Sequence, residues 1–218
     1  MRGRFHPTAL LATLILLFGL APDWARADNP GDFAFYVLSL SWSPTYCESS
    51  QGRSDRIQCG GRPFSFVVHG LWPQYERGYP SDCPSAGPMG VSGSIIDAML
   101  DIMPSPGLIR HEWRTHGTCS GLPQRAYFDL IRRASEIVRI PERFTDNQEA
   151  VTVSPREVEA AFRAANPGLP GDGIGVACDS RRLKEVRICL TRDLSFRSCP
   201  EVDRAACRRD RLVMPPVR

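Results

Sequence analysis

The sequence predicts an α+β domain with a mostly antiparallel central sheet, flanked by several helices and stabilised by four disulfides. Segments typical of strands come first and last in the chain, and segments typical of helices lie between them. This order favours α+β folds over alternating βαβ units. All eight cysteines lie in residues 28–218, and an even number of cysteines in an exported chain indicates disulfides.

Residues 1–27 have the order of a secretory signal peptide. Arg2 and Arg4 precede an apolar segment, which is followed by the small residues of positions 25–27. The apolar run of about a dozen residues is shorter than the roughly 20 that a membrane-spanning helix needs. We therefore predict cleavage after position 27, a single domain over residues 28–218, no membrane anchor, and export to the periplasm or the medium.

Two early segments are predicted strands. Residues 33–42 are almost uniformly apolar and aromatic, which is typical of a central strand buried on both faces. Residues 64–69 alternate and predict a second strand, with His69 at its end, where Gly70 allows the chain to turn. We therefore expect His69 to face a cleft.

Apolar residues at helical spacing predict the middle of the chain to be helical, and two late strands follow. The last helix begins with a capping box at Ser154–Glu157, with proline at its first position. The predicted helices are 94–103, 108–116, 124–139 and 154–166, and the predicted late strands are 175–178 and 183–191.

The charge balance excludes a polycationic protein. Residues 1–27 hold three of the 27 basic residues and one of the 24 acidic residues, so residues 28–218 carry 24 basic and 23 acidic side chains. Clamping of a nucleic-acid duplex usually requires a basic face. Binding of a few nucleotides of a single strand needs only a local basic cleft.

Three of the four histidines lie in two short motifs. His69 is in segment 67–73, whereas His111 and His116 are in segment 111–119 together with Glu112. A zinc metalloprotease needs histidines four apart on one helical face, but these two are five apart and point about 140° from each other. No C-x-x-C pair occurs either, so we predict no metal. Glu112 and His116 are four apart and share a helical face.

Acid/base chemistry without a nucleophilic side chain is the remaining interpretation. The sequence has no G-x-S-x-G elbow, and every cysteine is expected to be in a disulfide. RNA carries its own nucleophile, the 2′-hydroxyl, which one imidazole can deprotonate while another protonates the leaving 5′-oxygen. Arg114 is a candidate phosphate ligand. The aromatic residues that could stack on bases are Trp42, Tyr46, Trp72 and Trp113.

Two segments resemble the signature segments of the ribonuclease T2 family. They are His69-Gly70-Leu71-Trp72-Pro73 and His111-Glu112-Trp113 continuing to His116-Gly117-Thr118-Cys119. Residues 41–47 resemble the family's first strand and turn, so the resemblance covers residues 33–130. Beyond these it rests on the cysteine pattern and on Phe196 before Cys199. It implies an exported, metal-independent endoribonuclease that cleaves single-stranded RNA through a 2′,3′-cyclic phosphate, with little base preference. We expect no cofactor and a monomer.

The same resemblance implies a role for each site residue. His116 corresponds to the general base and His69 to the general acid, His111 holds the phosphate, Glu112 assists in the transition state, and Trp72 stacks on a base. From sequence alone eight cysteines allow 105 pairings. The pairs that the resemblance implies are Cys47–Cys59, Cys83–Cys119, Cys178–Cys207 and Cys189–Cys199.

One departure leaves alternatives open. The family usually has lysine immediately before the last histidine, and this chain has Thr115 there, with Arg114 as the neighbouring cation. A catalytically weakened, exported RNA-binding protein of the same fold is therefore one alternative. A phosphodiesterase acting on DNA or on a small diester is another, although DNA lacks the 2′-hydroxyl that this set of side chains requires.

Overall fold

The computed structural model describes residues 28–218, and the predicted signal peptide lies outside them. The main sheet has four strands in the order β2-β1-β5-β4, and each neighbouring pair is antiparallel. Its strands are β1 (Phe35–Trp42), β2 (Phe66–Gln74), β4 (Ile174–Cys178) and β5 (Leu183–Leu190). A second antiparallel pair consists of β3 (Val151–Val153) and β6 (Leu212–Met214). The predicted α+β class and antiparallel sheet are confirmed.

Seven α-helices accompany the sheets within residues 28–218. They are α1 (Ser43–Cys47), α2 (Arg56–Cys59), α3 (Gly93–Met99), α4 (Pro106–Thr115), α5 (Gln124–Ile137), α6 (Pro155–Ala165) and α7 (Pro200–Arg204). Helices α3 to α6 correspond to the four predicted helices. The capping box of α6 is formed as predicted, because Ser154 and Glu157 satisfy each other's backbone N–H groups. The short helices and the β3–β6 pair have no clear signal in the sequence.

Strand β1 is the predicted central strand. Tyr36, Leu38 and Leu40 belong to the main hydrophobic core, whereas Phe35 and Val37 pack on the other side of the sheet with the Cys189–Cys199 pair. Both faces are therefore covered, which explains why the alternation of polar and apolar residues is missing from this strand. Apolar side chains of helices α3 to α6 pack against the main core face of the sheet.

Strand β2 differs from the prediction. It does not turn at Gly70 but continues to Gln74. Ser39 of β1 is opposite Gly70 and Leu40 is opposite Val68, so His69 is the extra residue of a β-bulge. A bulge changes the direction of a side chain without ending the strand. The imidazole therefore leaves the regular ladder in the middle of an edge strand.

All eight cysteines are in disulfides, and the four implied pairs are those of the structure. The Cys83–Cys119 bridge ties the loop after β2 to the 3-10 helix Gly117–Ser120, which directly follows His116. A bridge over this separation restricts the unfolded chain and contributes about 2–4 kcal/mol. Among the helices in residues 28–218, none is both long and apolar enough to cross a membrane.

Candidate active site

Strand β2 and helix α4 bring the two histidine motifs together around one indole. The ring centroids of His69 and Trp72 are 5.2 Å apart, and those of Trp72 and His116 are 5.4 Å apart. His111 follows at 6.4 Å from His116, with its ring perpendicular. The three histidines of the described chain therefore share one site, although they come from two distant segments.

Gly70 allows α4 to approach β2. A Cβ atom at this position would lie 1.9 Å from Oε2 of Glu112 and 2.5 Å from Nε1 of Trp72. Those two atoms are themselves joined by a hydrogen bond of 2.8 Å, in which the indole N–H donates. Glycine is therefore required here for close approach, and the expected turn is not the reason for it.

Glu112 is fully buried between β2 and α4. Its Oε2 accepts the Trp72 hydrogen bond, whereas Oε1 has no hydrogen-bond partner among residues 28–218 and lies 3.6 Å from Nε2 of His69. Burial raises the pKa of Glu112 to about 7, although the charge of His69 and the indole hydrogen bond oppose the shift. The protonated and the ionised forms of the Glu112 carboxyl group are therefore both populated near neutral pH.

His69 is held by a second carboxylate from β5. Its Nδ1 lies 2.7 Å from Oε1 of Glu185, and Arg187 donates from Nε and Nη2 to the other oxygen of Glu185, at 3.1 and 2.9 Å. Burial alone would lower the pKa of His69, but the hydrogen bond to Glu185 and the charges of Glu112 and Glu185 raise it above the usual value. The charged imidazolium is thus favoured.

Glu185 remains ionised in this cluster. Burial would raise its pKa, but the hydrogen bonds and charges of His69 and Arg187 lower it to about 2. Neither Glu185 nor Arg187 was predicted as a site residue. A signal is present in the sequence, because Glu185 and Arg187 are charged residues at alternate positions of β5 and so project on one face, whereas the exposed Lys184 lies between Leu183 and Glu185 at the start of the strand.

His116 has the opposite environment. Its ring is tilted by 34° against Trp72, and its Nδ1 has no hydrogen-bond partner within residues 28–218. Burial, together with the charges of His111 and His69, lowers the pKa of His116 to about 4, while Asp82 opposes the shift. At neutral pH this imidazole is therefore neutral and able to accept a proton.

A cleft of about 480 Å³ opens beside His116, and we call it the base-side cleft. Its walls include Trp72, Thr115, His116, Arg187 and the exposed Tyr79. The cation that reaches this cleft is Arg187, whose guanidinium carbon lies 5.2 Å from the centre of the Trp72 ring. Arg114, the predicted phosphate ligand, is solvent-exposed on α4 and does not line the cleft.

Two of the predicted stacking residues are unavailable to a substrate. The Trp42 side chain is fully buried, and its Nε1 donates to the carbonyl of Pro215 at 3.0 Å. Trp113 is also buried and donates to the carbonyl of Pro88. The prediction for Trp42 is therefore wrong, because its position in β1 directs the indole into the core. Only Trp72 lies between the catalytic candidates.

The described residues contain no group of three or more His, Cys, Asp or Glu side chains that could hold a metal ion. The three imidazoles and Glu112 are instead arranged for proton transfer. Two of them, His69 and His116, have pKa values shifted in opposite directions within one site. Such a pair can supply a general acid and a general base at the same pH.

Known proteins are similar to this chain in sequence and in fold. The model of the Ribonuclease T2 family matches residues 33–199. A ribonuclease from Aeromonas hydrophila is 35% identical over 190 residues, covering 83% of this chain and 85% of that protein. Ribonuclease I from Escherichia coli (strain K12) is 28% identical over 204 residues, covering 74% and 76%.

Solved structures agree with these sequence matches. The crystal structure of RNase NT in complex with 5′-AMP superposes with a TM-score of 0.66 at 25% identity, and the alignment covers 85% of this chain and 99% of that one. Because the family model spans most of the domain and includes both histidine motifs, the assignment does not depend on one segment. The chain belongs to the Ribonuclease T2 family and is a metal-independent endoribonuclease.

Proposed function

We propose that the protein cleaves single-stranded RNA by transesterification, with His116 as general base and His69 as general acid. The neutral His116 accepts the proton of a 2′-hydroxyl, and the oxygen attacks the adjacent phosphorus. The charged His69 protonates the 5′-oxygen as the phosphorus–oxygen bond breaks. The products are a 2′,3′-cyclic phosphate and a free 5′-hydroxyl. Water then opens the cyclic ester to a 3′-phosphate with the two roles reversed.

The observation that carries this proposal is the pair of opposite pKa shifts on the two sides of Trp72. The pKa of His116 is lowered to about 4 and that of His69 is raised. The neutral base and the charged acid therefore coexist over a broad range of pH, without exchange of protons before the reaction. This supports assigning the base to His116 and the acid to His69, and not the reverse.

The remaining polar groups would stabilise the pentacoordinate phosphorane. His111 lies at the solvent side of His116, where its ring can donate to a phosphate oxygen. Glu112 would hold a proton close to His69 and orient Trp72. Arg187 adds a cation to the wall of the base-side cleft. Preorganised donors of this kind are worth several kcal/mol in the transition state.

Trp72 is the proposed stacking surface for a base in the base-side cleft. Its side chain is only partly buried and lines that cleft together with Thr115 and His116. Base stacking on an aromatic ring is worth about 1–3 kcal/mol and depends little on which base is bound. The related RNase NT has been crystallised with 5′-AMP, which supports nucleotide binding in this fold.

We infer that the protein is exported, and two features support this inference. Four disulfides form and persist in an oxidising environment. Together with the signal peptide expected from the sequence, they support an enzyme that acts in the periplasm or the medium, and we propose that it is a monomer there. Detection of the protein with its amino terminus at residue 28 in a periplasmic or medium fraction, and its elution as a monomer, would test both points.

The central experiment is cleavage of a short single-stranded RNA by the oxidised protein in EDTA at pH 5 to 7, with the product ends identified by mass spectrometry. We expect ends with a 2′,3′-cyclic phosphate and no cleavage of the matched 2′-deoxy strand. Cleavage of the 2′-deoxy strand would contradict the mechanism. Intact RNA that remains bound to the folded protein would instead favour the RNA-binding alternative, in which Thr115 weakens catalysis.

A further inference from the structure

A second groove, of about 380 Å³, lies on the other side of the site. We call it the acid-side groove. Its walls include His69, Glu185, Tyr46, Arg182 and Lys184. His116 does not reach this groove, and His69 does not line the base-side cleft. The two catalytic candidates therefore open into different cavities, with Trp72 between the two rings.

The direction of the reaction decides which part of the RNA would enter each cavity. In an in-line displacement the attacking 2′-oxygen and the leaving 5′-oxygen are on opposite sides of the phosphorus. A base must be within hydrogen-bond reach of the first oxygen and an acid within reach of the second. If His116 is the base and His69 the acid, the nucleoside that leaves must lie toward the acid-side groove.

Two cations stand at the wall of this groove. Lys184 is exposed at the beginning of β5 and forms no salt bridge within residues 28–218. Arg182 is more than a third exposed, and its Nη1 lies 3.3 Å from Oε2 of Glu48. A leaving nucleoside within a longer strand carries a phosphate on its 3′-oxygen. That phosphate would be the next anion along the chain.

The acidic groups near these cations are mostly engaged elsewhere. Oδ1 of Asp179 accepts the backbone N–H groups of Arg181 and Arg182, both at 2.7 Å. Glu185 is bound to His69 and Arg187. Burial would raise the pKa of Asp179, but these hydrogen bonds and the charges of Arg182 and Lys184 lower it. Within residues 28–218, Glu48 is the carboxylate that forms a salt bridge with a groove cation, and an exposed pair of this kind is weak. A phosphate that accepts two hydrogen bonds from the Arg182 guanidinium can therefore displace the Glu48 carboxylate.

We propose that Lys184 and Arg182 form a phosphate subsite for the RNA on the 3′ side of the leaving nucleoside. This proposal rests on the proposed function, because it uses His69 as the acid. The subsite binds a phosphate that takes no part in the bond cleavage. It therefore favours substrates that extend beyond the leaving nucleoside over dinucleotides.

Two matched substrates test the subsite: a dinucleoside monophosphate, and the same molecule with an additional 3′-phosphate. For the unmodified protein we expect kcat/KM to be about fivefold higher on the second substrate, since the contacts of two exposed cations with one phosphate are each weak and act together. Lys184→Gln should remove most of this advantage and leave the dinucleoside monophosphate unaffected. Arg125→Gln is the matched control, because Arg125 is exposed, pairs with Asp129 on α5 and does not line the groove.

Glu48→Gln should act in the opposite direction. It releases Arg182 from its carboxylate partner, so kcat/KM on the substrate with the 3′-phosphate should rise about twofold. On a longer RNA the slope of log kcat/KM against log salt concentration should become shallower by about 0.7 for each groove cation removed. An increase in Glu48→Gln and a decrease in Lys184→Gln together distinguish a phosphate contact from a general loss of stability.

Either of two results would overturn the subsite. One is equal kcat/KM on the two substrates for the unmodified protein, and the other is an equal loss on both substrates in Lys184→Gln. If the folded protein cleaves neither substrate nor longer RNA, the proposed function itself fails. Activity on the dinucleoside monophosphate therefore separates a failure of the subsite from a failure of the catalytic assignment.

Discussion

The two histidines on either side of Trp72 have pKa values that are shifted in opposite directions. His69 lies between Glu112 and Glu185, which raise its pKa despite burial. His116 packs against the indole, its Nδ1 has no hydrogen-bond partner within residues 28–218, and its pKa falls to about 4. Both side chains can transfer protons because both are imidazoles, but their neighbours decide which one carries the proton near neutral pH.

The difference has a simple structural origin. Glu185 comes from β5, which is separated from β2 by β1, and its side chain reaches His69 because the bulge turns that imidazole out of the ladder. His116 stands at the end of α4, where the following 3-10 helix and the Cys83–Cys119 bridge hold the backbone. The sheet thus positions His69, whereas the end of a helix positions His116.

The largest expected effect is the loss of either histidine. His69→Ala and His116→Ala should each lower kcat on RNA by about 10²–10⁴, the usual contribution of one acid or base. A substrate whose leaving group is a nitrophenolate needs no protonation, so it should restore most of the activity of His69→Ala and none of that of His116→Ala. Rates on the two substrates, with circular dichroism as the folding control, provide the measurement. Rescue of the His116 variant instead would reverse the two roles.

Gly70→Ala should have the next largest effect, because the new methyl group would collide with Glu112 and Trp72. Overpacking of this kind costs about 1–3 kcal/mol of stability, and a displacement of about 1 Å in the site can cost about 10²-fold in rate. The thermal midpoint and kcat/KM measure the two effects. Gly107→Ala is the matched control, because a Cβ atom at Gly107 would make no close contact. Gly78→Ala is unsuitable as a control, because the positive φ of Gly78 would itself strain an alanine.

Part of the site and of the fold could be predicted from the sequence. Both histidine motifs, the four long helices and the central strand could be predicted, because each depends on local spacing and periodicity. The position of His69 in a bulge could not, because a bulge depends on the register between two strands. Proximity in the sequence predicts that Trp42 lies in the site, but alternation along β1 directs its side chain into the core.

The role of Glu185 also could not be predicted from local sequence patterns. It is 116 residues from His69 in the chain, and only the strand order β2-β1-β5 brings the two onto one face. The alternate polar residues of β5 indicated an exposed or functional face. Nothing local indicated that this face would complete a site whose other members were more than 60 residues earlier in the chain.

Glu185→Gln should move one limb of the pH profile. In the unmodified protein, kcat/KM should rise as the pH passes the His116 pKa of about 4 and fall as the pH passes the raised pKa of His69. Glutamine keeps a hydrogen-bond partner but loses the charge, so the alkaline limb should shift to lower pH while the acid limb stays. At pH 8 we expect a loss of about tenfold in kcat/KM. A uniform loss at every pH would mean that Glu185 acts only through folding.

The pH dependence of the stability of Glu185→Gln tests the same interaction without an activity measurement. The raised pKa of His69 contributes stability that is fully present below its unfolded value of 6.5 and is lost as the pH rises through the folded value. The lowered pKa of Glu185 contributes stability that is present above 4.5 and is lost as the pH falls toward 2. The stability difference between the unmodified protein and Glu185→Gln should therefore be largest between pH 4.5 and 6.5, as measured by urea denaturation.

The smallest expected effect concerns the cation of the base-side cleft. If Arg187 supplies that charge, Arg187→Gln should lower kcat by about fivefold, because the guanidinium is already paired with Glu185. Arg114→Gln should change kcat less than twofold, because Arg114 is exposed outside the cleft. Thr115→Lys introduces a cation beside His116 on the same wall. It should raise kcat only a few-fold in the unmodified protein, where Arg187 is present, but recover most of the loss in Arg187→Gln. A large gain from Thr115→Lys alone would contradict this, since it would mean that the indole and Glu185 hold Arg187 too far from the phosphorane. The two single variants and the double variant form a cycle that measures this coupling directly.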